Sequence, residues 1–455
     1  SFSFFGLDAA RNTLGFRSNR VDQVDPLSER DLIKGDFNNY GFEIKFLNNY
    51  KLFNRKSVFV IGGKYYRSKT TSNQGPGSKN SDADFNFYLD KYPNYTNQSN
   101  YIYPNKNFAF YGENVFYLND KISFTPGFRF ENIITKSKGS YKQINLDGAG
   151  NVIYNNTVFE NRDNRRSFVL LGLGTSFKLK NNTELYTNIS ENYRSVTFAD
   201  ISIINPAYSI NPDISDESGF TYDLGLRGNL KQKVSFDLTF FNMFYNNRIG
   251  FSQKEFKDGS VKSERGNIGD AIIYGVESNF DFDLNNLIIN SDNTSLNYFI
   301  NTAFIDSEYI RSEENGVVGK KVEFVPRVNF KTGIKYGYQN LIFNLQYSYI
   351  SNQFTDSSNA DEGNISGIIG KIPEYYLLDF SFSYLVKSLR FEGGINNITN
   401  SLYFTRRATG YPGPGIIPSP PRNIYFTLQL KIWFNPCINS CLFEEILTNR
   451  VKVNK

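Results

Sequence analysis

The chain has 455 residues, of which 40% are hydrophobic and 16% are aromatic, and its formal net charge is +5. This charge is small for the length and is spread along the chain, which argues against a dedicated nucleic-acid surface. Histidine is absent. The commonest general base and metal ligand is therefore missing, which disfavours serine–histidine and zinc-hydrolase chemistry.

The N-terminal stretch SFSFFGLDAARN lacks the charged region, apolar core and cleavage site of a signal peptide. No later window approaches the roughly 18 to 20 apolar residues of a membrane helix. Because the first residue is not Met, we expect the chain to be a fragment of a longer protein.

Apolar and polar residues alternate in segment after segment. Between 121 and 134, for example, the two alternating sets are Ile122, Phe124, Phe128 and Phe130 against Ser123, Thr125, Arg129 and Glu131. In chain order this period of two predicts about fifteen β-strands and no intervening helix. The strands are expected near residues 38–49, 57–68, 106–118, 121–134, 166–179, 183–195, 217–229, 233–248, 270–285, 294–311, 323–338, 341–353, 374–386, 388–398 and 422–434.

The connections between these segments alternate in length. Short links, such as Asn119-Asp120, Asn181-Asn182, Lys231-Gln232, Gln339-Asn340 and Lys387, take turns with long polar ones at 69–105, 135–165, 196–216, 249–269, 354–373 and 399–421. An up-and-down meander places all short turns at one end and all long loops at the other, as an outer-membrane barrel requires. We therefore predict an all-β fold, an antiparallel up-and-down transmembrane β-barrel with apolar side chains facing lipid and polar ones facing a lumen.

A water-soluble β-sandwich or propeller is the competing interpretation, since alternating strands are common in such folds. Loops of roughly twenty to thirty residues confined to alternate connections are rare in a sandwich. The sequence also lacks the repeated blade signature of a propeller. The high content of Phe and Tyr fits the two aromatic girdles of a membrane barrel.

The final predicted strand runs from Asn423 to Phe434, and we expect its apolar face to contact lipid. We assign residues 1–434 to the barrel and 435–455 to an atypical C-terminal tail. The tail holds both cysteines, Cys437 and Cys441, so we expect nothing before it to depend on a disulfide. Two interpretations of the tail stay open: a periplasmic helix, or a frameshifted, read-through or artefactual terminus.

Several stretches resemble motifs of TonB-dependent outer-membrane receptors. NPDISDESGFTYDLGLR, Asn211 to Arg227, is similar to their Asn-Pro…Glu…Tyr-Glu-Leu-Gly barrel motif, with Asp223 in place of the usual Glu. ELYTNISENYRSVTFADI at 184–201, YGVES at 274–278 and GGINNITNSLYFTRR at 393–407 resemble further strands of that family in the same order. The resemblance implies a receptor in the outer membrane of a Gram-negative bacterium, and not an enzyme.

Within that family, SNQFTDSSNA at 351–360, the IPEYYLLDFSFSY segment after it and FTPGFRFE at 124–131 resemble ferric-dicitrate receptors. Those receptors are similar in having about 22 strands. We therefore expect about fifteen of them here, without the first strands, the N-terminal plug and the TonB box.

This resemblance implies binding of a ferric chelate outside the cell and import energised by the TonB complex, contacted through the missing N-terminal region. It implies outer-membrane lipid as the surroundings, no nucleic acid and no cofactor. Uptake of cobalamin, an oligosaccharide or a peptide, and a passive porin-like or adhesion barrel, are the alternatives.

A polyanionic chelate needs converging cations and amide donors, because desolvated carboxylates require charge-assisted hydrogen bonds. The resemblance carries the Arg-Asn pair that precedes the first strand to Arg11-Asn12 and a loop glutamine to Gln253. A family loop arginine falls near Lys106, which would substitute as a point charge. Arg406 and Arg407, beside the last loop, are further candidates. For any single arginine, the competing interpretation is a solvated loop residue or an ion pair in the lumen.

Structural roles compete with functional ones at other residues. We expect Arg129 and Arg227 to pair with Glu131, Asp223 or strand neighbours. The acidic clusters at 81–90 and 211–217 lack the spacing of an EF-hand, and Asp, Asn and Ser are ordinary loop residues, so we predict no metal site. No pairing of a nucleophile with a base is recognisable, so we predict no catalytic residue.

Overall fold

The computed structural model describes residues 1–16, 23–80, 84–197, 200, 208–255, 261–364, 367–408 and 415–431. The strands of these residues are β1 (Phe2–Gly15), β2 (Asp31–Leu52), β3 (Arg55–Pro76), β4 (Ser99–Tyr117), β5 (Ile122–Leu146), β6 (Val152–Lys178), β7 (Thr183–Arg194), β8 (Tyr208–Ile210), β9 (Glu217–Leu230), β10 (Val234–Glu255), β11 (Val261–Asp283), β12 (Thr294–Arg311), β13 (Val328–Tyr338), β14 (Leu341–Ile350), β15 (Tyr375–Val386), β16 (Leu389–Asn396), β17 (Phe404–Ala408), β18 (Gly415–Pro418) and β19 (Asn423–Leu430). A single π-helical turn, Asn285–Ile289, lies between β11 and β12.

Sixteen of these strands form one antiparallel meander, in which each strand pairs with the next along the chain. The meander runs from β1 to β7, continues through β9 to β16 and ends with β19. Strand β8 adds a short parallel pairing with β11, and β17 pairs with β18 in a separate hairpin. The predicted all-β, antiparallel up-and-down fold is confirmed.

Strand β1 was not among the predicted strands. It pairs with β2 from Phe2 opposite Ile44 to Gly15 opposite Asp31. Its alternation is broken, because the adjacent Phe4 and Phe5 are both apolar and Gly6 contributes no side chain. Period two therefore misses this strand, although its backbone forms a complete ladder.

Several predicted loops are partly strand. Strands β5 and β6 stay paired as far as Leu146 opposite Val152, within the predicted loop at 135–165. Strands β10 and β11 likewise pair as far as Glu255 opposite Val261, within the predicted loop at 249–269. These extensions project beyond the lipid, which therefore no longer selects apolar residues on the outward face, so alternation does not mark them, while the backbone ladder continues regardless.

The tight turns lie at the opposite end of the sheet. Asn181 and Asn182 have φ of 60° and 53°, and Lys231 and Gln232 have φ of 52° and 59°. Two consecutive residues with positive φ form a turn whose twist matches that of the flanking strands. The predicted short links at both places are confirmed.

The two faces of the sheet differ as the alternation predicts. Phe42, Tyr65 and Phe108 are successive cross-strand partners on the outward face, and Phe108 is 47% exposed. On the inward face, Tyr111 donates a hydrogen bond of 2.6 Å to Glu43. The apolar side chains of β19 continue the outward face, and Phe426 is 65% exposed there. Within the described ranges, no helix is long and apolar enough to cross a membrane.

The loop between β12 and β13 folds against the inner wall near the long-loop end. Its Val317 and Val322 pack with Phe241, Ile268 and Tyr309 of the neighbouring strands. This small core fixes the loops above the lumen. The tail at 435–455 lies outside the described residues.

Candidate functional site

The inner wall at the long-loop end lines an open cavity of about 760 Å³ between β7, β9, β10, β11 and the loop before β13. Three arginines line it: Arg194 at the end of β7, Arg248 in β10 and Arg265 in β11. Side chains that alternate inward along these strands converge here because the register brings the strand ends to one level.

Arg194 and Arg265 share the carboxylate of Asp200. Nη2 of Arg194 lies 2.8 Å from Oδ1, and Nη2 of Arg265 lies 2.7 Å from the same atom. The backbone N–H and the hydroxyl of Thr197 donate to Oδ2 at 2.8 and 2.7 Å. Asp200 is only 1% exposed, so this set of donors replaces the water that its charge loses.

These donors also determine the protonation state of Asp200. Burial alone would raise the pKa of this carboxyl, but hydrogen bonds from Thr197, Arg265 and Arg194 outweigh burial and lower the pKa to about 2. Asp200 is therefore an anion at neutral pH and cancels one of the arginine charges.

Glu217, the first residue of β9, holds the other side of Arg194. Its Oε1 accepts hydrogen bonds from Nη1 of Arg194 at 3.0 Å and from the backbone N–H of Ile249 at 2.7 Å. The carboxylate thereby connects β7 to β10 above the last ladder pairs.

Arg248 has the longest ion-pair separation of the three cations. Its Nε lies 3.8 Å from Oε1 of Glu323, and within the described part of the chain this buried Nε has no hydrogen-bond acceptor. The other carboxylate oxygen of Glu323 accepts a bond of 2.7 Å from the hydroxyl of Tyr309. Arg248 lines the cavity, where a guanidinium group can donate charge-assisted hydrogen bonds to an anionic oxygen.

Aromatic rings complete the wall. The guanidinium of Arg265 lies 4.7 Å from the ring centroid of Phe251, and that of Arg248 lies 5.4 Å from the ring of Tyr245. Both separations are within the range of cation–π attraction. The rings thus add an attraction that favours these positions of the two guanidinium groups.

The charges of the cavity are balanced, because Asp200, Glu217 and Glu323 match the three arginines. An anionic ligand must therefore compete with internal carboxylates for these donors. Among the described residues, no group of three or more His, Cys, Asp or Glu side chains is arranged to hold a metal ion. The lining of the cavity presents guanidinium donors and aromatic ring faces.

Loops beside the cavity are fastened to one another. The side chain of Asn359 accepts from the backbone N–H of Lys321 at 2.6 Å and donates to its carbonyl at 2.9 Å. Arg407 in turn donates to the carbonyls of Gly367 and Lys371 at 2.9 and 3.0 Å. The loops after β12, β14 and β16 thus form one connected cap.

Of the five predicted ligand residues, Gln253 is the nearest to the cavity. It lies two positions beyond Phe251 on β10, opposite Ser263, and it is exposed. Alternation places it on the strand face that carries Phe251 and Arg265, at the upper rim of the cavity.

Arg11 does not precede the first strand, as the resemblance suggested, but lies within β1 opposite Gly35. Its guanidinium lies 5.9 Å from the ring of Phe37 on the inward face. The structure therefore does not bring Arg11 together with the cavity residues on β7 to β11.

Lys106 lies opposite Arg67 on the outward face, in step with the exposed Phe108, so it points away from the lumen. Arg406 is exposed on β17. The guanidinium of Arg407 already donates to the two loop carbonyls described above. Pro412, within the last loop, lies outside the described residues.

Several other arginines form ion pairs within the barrel, as the prediction of a structural role stated. Nε of Arg129 lies 2.5 Å from Oε1 of Glu131. Arg227 pairs at 3.0 Å with Glu184 of the neighbouring strand, so Asp223 is not its partner. Arg194 and Arg265 form lumen ion pairs, as the competing interpretation of single arginines stated.

Sequence reasoning did not identify Arg248. This residue lies in the stretch NNRIGFSQ, five positions before Gln253. The ladder between β10 and β11 is irregular between Tyr245 and Arg248, and Asn247 has a φ of 53°. Such a bulge re-aims a side chain. The adjacent Asn246 and Asn247, both tolerant of positive φ, are the only local signal.

Comparison with known proteins places this geometry in context. A family model described as the β-barrel of TonB-dependent receptor-like proteins matches residues 2–398. Among solved structures, the unliganded ferric citrate transporter FecA has a TM-score of 0.66 at 19% identity, over 94% of this chain and 58% of that one. The ferric yersiniabactin uptake receptor FyuA from Yersinia pestis also has a TM-score of 0.66, at 16% identity, over 95% of this chain and 59% of that one.

The copper transporter OprC is similar as well, with a TM-score of 0.66 at 15% identity over 94% of this chain and 62% of OprC. The chain thus spans about three fifths of the length of these solved proteins. The similarity covers the barrel fold, and the three proteins are named for three different cargoes.

Proposed function

This chain belongs to the TonB-dependent receptor-like β-barrel family, and from that premise we propose that it binds a ferric chelate at its extracellular loops for TonB-energised import. The family is one of receptors and transporters and not of enzymes. The barrel lies in the outer membrane of a Gram-negative bacterium. Its long loops face outward from the cell and its tight turns face the periplasm.

The observation that carries this proposal is the cavity between Arg194, Arg248 and Arg265, which opens on the inner wall beneath the long loops. Ferric chelates present carboxylate, catecholate or similar oxygens, which guanidinium forks bind well. Tyr245 and Phe251 add rings for the organic part of the chelate. Arg248, whose separation from its carboxylate partner is the longest of the three, is the proposed first contact.

We extend the proposal to a chelate similar to ferric citrate. The support is the resemblance of the segments at 124–131 and 351–360 to ferric-dicitrate receptors, together with Gln253 at the rim of the cavity. In this proposal Arg194 and Arg265 exchange part of their contact with Asp200 for the ligand, while Arg248 gains an acceptor. Arg11, Lys106, Arg406 and Arg407 lie away from the cavity, so the proposed site is built without them.

The contact with the TonB complex belongs to the same proposal. In it the TonB complex energises import, as the resemblance to TonB-dependent receptors suggests. The described barrel supplies the membrane wall and the extracellular ligand site.

Ligand titration of the intact protein in detergent tests the proposal, with intrinsic fluorescence as the readout. Ferric citrate, iron-free citrate and an unrelated ferric siderophore are compared at equal concentrations. We expect saturable binding of ferric citrate and weaker or no binding of iron-free citrate. Binding of the unrelated siderophore alone would retain the chelate receptor but contradict the citrate-like ligand. No response to any iron chelate would contradict the iron assignment and favour cobalamin, an oligosaccharide or a peptide.

A further inference from the structure

The outward face of β3 to β6 carries a cluster of cations on the long-loop side of the apolar band. Cross-strand partners point to the same face of a sheet, so the register assigns the faces. In steps of two from the outward Tyr65 and Phe108, the next outward positions toward the loops are Arg67 and Lys106. We define the outward basic belt as Arg67, Lys69, Lys106, Lys136, Lys138 and Arg165.

Carboxylates compensate this belt only in part. Asp163 lies 2.8 Å from Lys136 and 3.1 Å from Arg165. Asp36 lies on the same face but accepts its hydrogen bond, at 2.9 Å, from Thr71. Six cations against two carboxylates leave an excess of four positive charges at this level of the wall.

Four members of the belt have no internal partner of opposite charge. In the part of the chain that the structure describes, no carboxylate lies within ion-pair distance of Arg67, Lys69, Lys106 or Lys138. Arg67 and Lys106 are even direct cross-strand partners. Like charges in this position repel and destabilise the strand pair. The cavity shows the opposite arrangement, since Arg194, Arg248 and Arg265 are matched by carboxylates.

The level of the belt identifies its surroundings. Lys106 lies two residues beyond Phe108, which is about 7 Å along a strand at ~3.3 Å per residue. The headgroup region on each side of a bilayer core is about 5 to 7 Å thick. The belt therefore lies at headgroup level, directly above side chains that contact the hydrocarbon, and the long loops place it in the outer leaflet.

We propose that the outward basic belt binds a lipid headgroup that carries more than one phosphate group in the outer leaflet of the membrane. Arginine forks and lysine ammonium groups both bind phosphate oxygens. The belt spans four strands, about 14 Å at a spacing of ~4.8 Å, which is too wide for a single phosphate to contact. Bound phosphates would remove the repulsion between Arg67 and Lys106 and would fix the depth of the barrel in the membrane.

The test uses the intact protein in detergent, with lipid A as the bisphosphorylated probe and monophosphoryl lipid A as the comparison. Native mass spectrometry counts bound lipid against concentration. The belt variant carries Arg67→Gln with Lys106→Gln. The charge-matched control carries Lys51→Gln with Lys56→Gln, since these lysines are also direct cross-strand partners but lie at the tight-turn end, where alternation places them on the inward face.

We expect the wild type to bind lipid A at least tenfold more tightly than the monophosphoryl form. The belt variant should lose that preference, while the control variant keeps it. Equal binding of lipid A by the wild type and the belt variant would overturn the proposal. Displacement of lipid A by inorganic phosphate at equal concentration would also overturn it, because the site would then recognise a free anion.

Folding and ligand binding are measured separately. The belt variant should keep the heat-dependent shift in gel mobility that reports a folded barrel, so that lost lipid binding is not lost structure. Binding of ferric citrate should be unchanged in the same variant, because the belt faces away from the lumen. The lipid proposal can therefore be tested independently of the proposed ferric ligand.

Discussion

Nη2 of Arg265 lies 2.7 Å from Oδ1 of Asp200, a carboxylate that is 1% exposed. Because Arg194 donates to the same carboxylate, Asp200 joins the loop after β7 to two strands of the wall. Strands β10 and β11 extend beyond β9 and β12 at this level. Charge, more than apolar packing, therefore holds this side of the cavity together.

Substitution Asp200→Asn should loosen the loop without unfolding the barrel. The amide keeps the shape but loses the charge, so two arginines and Thr197 bind a weaker acceptor. Hydrogen bonds to charged groups contribute about 1.5–3 kcal/mol each, which would speed local amide exchange by roughly tenfold to a hundredfold. Hydrogen exchange at Thr197, whose backbone N–H donates to Asp200, measures the effect. Unchanged exchange there would show that the clamp does not order the loop.

The same carboxyl should make the order of the loop depend on pH. Its pKa is lowered to about 2 by hydrogen bonds from Thr197, Arg265 and Arg194 that outweigh burial, whereas an unfolded Asp titrates near ~3.9. A lowered pKa contributes stability that is present above the unfolded value and is lost as pH falls through the folded one. Protection of Thr197 should therefore decline between about pH 4 and pH 2. In Asp200→Asn this decline should disappear.

Asp356 should behave in the opposite way. It is 3% exposed, and burial raises its pKa, with the nearby charge of Glu323 adding to the shift. A raised pKa means that the ionised form destabilises the fold as pH rises above the unfolded value. We expect Asp356→Asn to raise the melting temperature at pH 7 and to have little effect near pH 3. Equal effects at both pH values would contradict an ionisation cause.

Gly275 should tolerate no side chain. A Cβ at this position would collide with the backbone carbonyl of Phe304 and would lie 3.1 Å from the ring of Phe241. Overpacking of this kind costs about 1–3 kcal/mol, so Gly275→Ala should lower the temperature at which the barrel unfolds on heating. Gly172→Ala is the matched control, because its nearest neighbour would be 3.7 Å away. Equal stability of the two variants would refute the close approach.

Alternation predicted most of the wall because every lipid-facing segment must show it. It could not predict β1, where Phe4 and Phe5 break the period, or the extended hairpin of β5 and β6, where lipid no longer selects the outward residues. The glycine of the YGVES motif is Gly275. Its close contact with the neighbouring strand gives a structural reason for a glycine at this position. Backbone crowding of this kind is invisible in a single sequence.

The candidate site was harder to predict than the wall. Gln253 was predicted and lies at the rim of the cavity, while its role in binding stays a prediction. Arg248 was not singled out, because its direction depends on the irregular ladder near Asn247. Lys106 was carried over by position along the chain, although the register points it outward. One step along a strand changes the face, so small alignment shifts decide whether a residue faces ligand or lipid.

The most direct measurement of the central claim is the affinity of the intact protein in detergent for ferric citrate, with Arg248→Met beside the wild type. Arg55→Met is the control, because Arg55 pairs with Asp120 at the tight-turn end. We predict that Arg248→Met weakens binding by roughly tenfold to a hundredfold, the loss of one or two charge-assisted hydrogen bonds, and that Arg55→Met binds like the wild type. Wild-type affinity in folded Arg248→Met would contradict the cavity as the ligand site.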